Sequence, residues 1–175
     1  MISLAETYFY AEQPADCLNY VTQGIKAYEK GSLSNEDLLI LGYLIIYRAH
    51  LYRLMGNDVE ALKRYTEVIR LAKDVGSVYL IAQACEHSGH IYMLLCQYEI
   101  AARQLLTAID IYERLGSNTD LSMALTKLAV LQDFRGNAFD ALGHAERANR
   151  LAEEYLPANV QQTRKLVQML KRKAR

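Results

Sequence analysis

The stretch RLMGNDVEALKRY (Arg53–Tyr65) has a partner forty residues on, MLLCQYEIAARQL (Met93–Leu105). It has another forty beyond that, DFRGNAFDALGHA (Asp133–Ala145). Self-similarity at one fixed interval is the mark of a chain built by stacking one unit, so it decides the fold before any other feature. Ala49, Gly89 and Ala129 correspond, as do Gly56, Cys96 and Gly136, and Ala61, Ala101 and Ala141. Val68, Ala108 and Ala148 follow in register, then Leu71, Ile111 and Leu151. Apolar residues recur three or four places from the small ones, which is helical periodicity and not strand alternation.

Each unit therefore reads as two helices. Gly56-Asn57 and Gly136-Asn137 signal the turn within a pair. Gly76 and Gly116, again forty apart, stand where the second helix should stop. The recurring Ala and Gly let helix backbones approach closely; bulky side chains there would leave voids. A fainter copy lies in front, offset by forty-four: Ala5 for Ala49, Tyr8 for Tyr52, Cys17 for Ala61, Val21 for Tyr65 and Gly24 for Val68. The extra residues fall in the polar stretch Lys30–Asp37, which holds a capping-box candidate, Ser34 to Asp37. The first unit begins inside its first helix, as if clipped. The expectation is one all-α domain over 1–175, with repeats near 1–31, 35–76, 77–116 and 117–156. A helix over 158–174, following Pro157, should cover the last pair, since each repeat buries its apolar face only on a neighbour.

The chain has 175 residues, enough for a core. Lys plus Arg and Asp plus Glu both total 20, so no global field argues for nucleic acid or an acidic partner. Six basic residues and no acid follow Val160, which leaves −6 on residues 1–159. That basic tail could touch nucleic acid or an anionic membrane; the simpler reading is a solubilising face on a capping helix. No run of eighteen apolar residues suggests a membrane span, and the start lacks a secretory pattern. Cys17, Cys85 and Cys96 have no metal spacing and read as free thiols of a cytoplasmic protein.

The alternation of small and aromatic residues, Ala49, Tyr52, Gly56, Ala61, Tyr65 and Val68 in the second unit, resembles the tetratricopeptide repeat. Gly89, Tyr92, Cys96, Ala101, Leu105 and Ala108 match in the third, and Ala129, Gln132, Gly136, Ala141, Ala145 and Ala148 in the fourth. The period here is 40 where that family's usual length is about 34 residues, which resembles its long-helix branch. The resemblance implies a right-handed superhelix of about four helix pairs plus the capping helix, with first helices lining a concave face. By register that face takes Phe9 and Tyr10 from the first unit and Tyr43, Ile46, His50 and Arg53 from the second. Glu86, His90 and Met93 come from the third, and Met123, Thr126, Asp133 and Phe134 from the fourth. Aromatic anchors with single charges of both signs suit a protein or peptide segment laid in a groove. The family's lysine clamp for terminal carboxylates has no match at Ile46, Tyr47, His50, Glu86, His87 or His90.

CEHSGH (Cys85–His90) has pairs at helical spacing that could share a metal, but the expectation is no metal and no cofactor, with His50 and His90 facing the groove, His87 exposed and Cys85 buried. No nucleophile motif, phosphate loop or spaced carboxylate pair marks an enzyme. The expected role is a non-catalytic scaffold or adaptor. Two further possibilities stay open: a ligand-sensing segment of a transcriptional regulator, or a small chaperone of the same repeat family. Self-association through the first repeat is a further route.

Overall fold

The computed structural model describes residues 14–28 and 33–174. Among them lie eight α-helices and no strand: α1 (Pro14–Tyr28), α2 (Asn35–Leu54), α3 (Asp58–Asp74), α4 (Val78–Leu94), α5 (Tyr98–Leu115), α6 (Asn118–Phe134), α7 (Ala138–Tyr155) and α8 (Val160–Lys173). The fold is an all-α helical-repeat solenoid, as the period of forty predicts. The chain divides into two compact units, Met1–Ala84 and Cys85–Arg175, with the boundary inside α4.

The turns explain why the helices stop where they do. In the turn after α2, Gly56 has φ 74°, the Asn57 N–H reaches the Tyr52 carbonyl at 2.8 Å and the Gly56 N–H reaches Arg53 at 3.0 Å. This pattern satisfies two of the carbonyls a helix end leaves open. The turns after α4 and α6 repeat it, through Gln97 to Tyr92 and Asn137 to Gln132. Gly76 and Gly116 close α3 and α5 the same way. At Cys96 the left-handed conformation, φ 58°, is held by a residue with a side chain. The tertiary register forces it there although no glycine announces it.

In the first unit, α2 packs on α1 and α3 around Ile25, Leu44, Leu51, Tyr65 and Val68. α2 opens with the expected capping box: the Asp37 N–H donates to Ser34 Oγ at 3.2 Å and the Ser34 N–H to Asp37 Oδ2 at 3.0 Å. The Ser34 hydroxyl, which donates to Asp37 Oδ2 at 2.7 Å, and the Ser34 N–H together hold the Asp37 carboxyl below its usual range. Tyr8 and Ala5 of the frontmost copy lie outside the described residues; Val21 and Gly24 are buried.

In the second unit, α6 packs on α5 and α7, and α7 on α8. Ala101, Leu105, Ala108, Tyr112 and Leu125 fill the core. Gly89 shows why the register demands small residues. A Cβ there would stand 3.0 Å from Leu105 Cγ and 3.3 Å from the Ala101 carbonyl oxygen. α8 starts after a 3₁₀ turn, Pro157–Asn159, two residues later than the strict period would put it. Leu170 sinks among Ala129, Ala141 and Ala145, with Leu166 and Val167 beside it.

Candidate functional site

The second unit contains a half-enclosed cleft of about 300 Å³. α4 contributes His90 and Met93. α6 contributes Met123, Thr126, Lys127 and Val130, spaced to fall on one helix face. The third wall is Asn159, at the 3₁₀ turn, with Gln162 and Thr163 of α8. Four of the residues expected to face a partner, His90, Met93, Met123 and Thr126, thus meet around one space. Met93 forms its floor and is only 5% exposed.

Beside the cleft lies an internal ionic network. Glu86 is 2% exposed. It accepts a hydrogen bond from the Tyr112 hydroxyl at 2.9 Å and pairs with the Lys127 ammonium. A carboxylate this deep needs both partners, because burying an unpaired charge costs far more than a hydrogen bond returns. Glu86 is therefore held inside and does not present itself on an open face, which corrects the sequence expectation. The hydroxyls nearby are also engaged: Thr126 donates to the Ser122 carbonyl at 2.8 Å, and Thr163 lies 2.9 Å from Asn149 Oδ1 and 3.1 Å from the Val160 carbonyl.

The other expected residues are distributed as follows. In the first unit Tyr43 is exposed, and His50 and Arg53 are half-buried. The His50 ring tilts against Tyr65, with centroids 5.9 Å apart. Ile46 is a core side chain, 5% exposed; its position on α2 turns it inward, so it is not surface. In the second unit Asp133 accepts from Lys173 at 2.6 Å, and Phe134 is exposed and stacked on Tyr98, with centroids 6.4 Å apart and planes 8° from parallel. Phe9 and Tyr10 lie outside the described residues. Cys85 is buried as expected; His87 is half-buried and not exposed.

Lys127, Asn159, Gln162 and Thr163 were not anticipated. Lys127 does leave a trace in the sequence: it is the one cation within α6, between two acids at the helix ends. The residues around α8 leave none, since the two-residue shift of that helix is invisible to a period of forty. Three of the six basic residues of the tail are paired within the fold. Arg164 pairs with Glu153, Lys171 with Glu146 and Lys173 with Asp133. Among the described residues no cluster of His, Cys, Asp and Glu has the geometry of a metal site, and no helix is long and apolar enough to cross a membrane.

Known proteins of the same architecture fit this picture. The structure of BtubC (BKLC) from P. vanneervenii superposes with a TM-score of 0.84 at 18% identity, over 98% of this chain and 70% of that one. The apo form of RapI gives 0.77 at 20% identity, over 87% of this chain and 41% of RapI. A kinesin light chain protein from Podosopora anserina, with nearly identical TPR-like repeats, gives 0.59 at 13% identity over 98% and 92%. These likenesses establish the tetratricopeptide-like repeat fold. No curated protein sequence matches. The family model described as anaphase-promoting complex subunit 5 matches twice in tandem, over residues 19–90 and 87–160. Together the two matches take in most of the chain, which therefore belongs to the anaphase-promoting complex subunit 5 family, a family of tetratricopeptide type.

Proposed function

We propose that this chain is a non-catalytic binding module that holds a segment of a partner protein in the cleft walled by α4, α6 and α8. The observation that carries this reading is the convergence of His90, Met93, Met123 and Thr126 on one space. Two unbranched, polarizable Met side chains give a surface that adapts to a bound side chain. The cleft acts by shape and desolvation. The one lysine at its edge, Lys127, is paired with the buried Glu86, and His90, already engaged within the fold, has no carboxylate or thiol beside it in the lining with which to form a catalytic pair. Free thiols at Cys85 and Cys96 suit a reducing compartment such as the cytoplasm.

The test is capture of partners from a native cell extract by three proteins run in parallel. These are the wild type, Met123→Arg in the cleft, and Leu106→Arg at an exposed site on α5. The reading requires a partner that survives Leu106→Arg and is lost with Met123→Arg, both variants keeping the wild-type helical content. A partner retained by both variants would move the binding surface elsewhere.

A further inference from the structure

The polar atoms around the cleft are unequally free. Lys127 is committed to Glu86, Thr126 to the Ser122 carbonyl and Thr163 to Asn149 and Val160. His90 is engaged within the fold as well. The side-chain amides of Asn159 and Gln162 make no hydrogen bond to described residues, and both border the space. Each amide offers a donor and an acceptor, the complement of a peptide unit. What remains of the lining is apolar: Met93, Met123 and Val130. At about 300 Å³ the cleft stands at the small end of ligand sites. It has room for a side chain and its flanking peptide unit, and none for a helix about 10 Å across.

The geometry points to an uncharged, extended peptide segment. It lays one apolar side chain of leucine or methionine size on Met93, Met123 and Val130, and pairs a backbone amide with Asn159 and Gln162. The inference rests on the cleft being the binding site. An acidic side chain would meet a lysine whose charge Glu86 already balances. It would lose its hydration for no new counter-charge. A basic side chain would likewise lose its hydration, since the nearby carboxylate, Glu86, is already paired with Lys127.

The chemistry is tested by NMR on the full chain labelled at the methionine methyls. Met93 and Met123 report from the cleft, while the exposed Met55 and Met169 serve as internal controls. The probes are the blocked tripeptides N-acetyl-Gly-Leu-Gly-amide, N-acetyl-Gly-Asp-Gly-amide and N-acetyl-Gly-Lys-Gly-amide. The leucine probe should move Met93 and Met123 and leave Met55 and Met169 in place. The charged probes should need at least about tenfold more peptide for the same shift. Asn159→Ala with Gln162→Ala should weaken the leucine probe about fivefold, the cost of losing backbone hydrogen bonds. A tighter response to the aspartate probe would overturn the uncharged class while leaving the cleft as the site. An unchanged response in the double variant would overturn the backbone pairing. If none of the probes moves Met93 or Met123, the cleft is not a binding site and both readings fall together.

Discussion

α6 and α8 both pack on α7, and they begin forty-two residues apart, at Asn118 and Val160. At that offset their inward faces correspond: Leu121 with Thr163 and Leu128 with Leu170, all buried. Their other faces do not. α6 carries Ser122 and Ala129 where α7 must come close. Ser122 donates to the Ala148 carbonyl across that contact at 2.8 Å, and Ala129 touches Ala141 and Ala145. The matching positions of α8 hold Arg164 and Lys171, which fold back on Glu153 and Glu146 of α7. Two residues thus separate a helix that seats the next helix from one that turns its side to water.

That difference can be attacked directly. Ala129→Lys puts the residue of α8 into the interior of α6, where a fully buried ammonium has no partner. It should cost at least about 3 kcal/mol and unfold the second unit at temperatures the wild type tolerates, as read by circular dichroism. Leu170→Ala removes the main apolar anchor of α8 and should cost about 3 kcal/mol. A thermal melt unchanged by it would mean that α8 is not docked as described.

Milder changes sharpen the comparison. Cys96→Gly should stabilise by about 1 kcal/mol, because glycine takes the left-handed turn between α4 and α5 without steric cost. A denaturant titration reads the gain, and a loss would mean that the thiol makes a contact worth more than the strain. Lys171→Ala gives α8 the alanine of α6, and since its ion pair is exposed the melting temperature should stay within about 2 °C. The smallest effect concerns His144 on α7. Burial holds its imidazole below the ordinary 6.5, against the pull of Asp140. Below that value the unfolded chain takes up the proton first. The stability is present above about pH 6.5 and lost as the pH falls. His144→Gln should flatten stability against pH between 7 and 5, and an undiminished slope would assign it to other groups.

The helices and their order were legible in the sequence because each contact that defines them is local and repeated. Ala61, Ala101 and Ala141 are all fully buried, and the glycines at 56, 76, 116 and 136 all take positive φ. The lining of the candidate cleft was legible in part. Met123 and Thr126 face the cleft because their place on α6 follows from the same period. Glu86 was misread as surface because its partners, Tyr112 and Lys127, lie 26 and 41 residues away, and no periodicity encodes a single ion pair. Ile46 is misread because a fixed register assigns one face to every first helix, while α2 buries Leu44, Ile45 and Ile46 in succession.

The placement of α8 has a consequence for how filling the cleft and opening the array are linked. α8 packs chiefly on one helix, α7, whereas α6 packs on two. Within residues 14–28 and 33–174, the element with fewer neighbours in the stack is the one that detaches first. Because α8 and the turn before it supply one wall of the cleft, each departure of that helix dismantles the pocket. On the proposed function, occupancy would act as a latch on a single step. A ligand held there would slow amide exchange in α8 and leave the buried cores of α5 and α6 at their own pace.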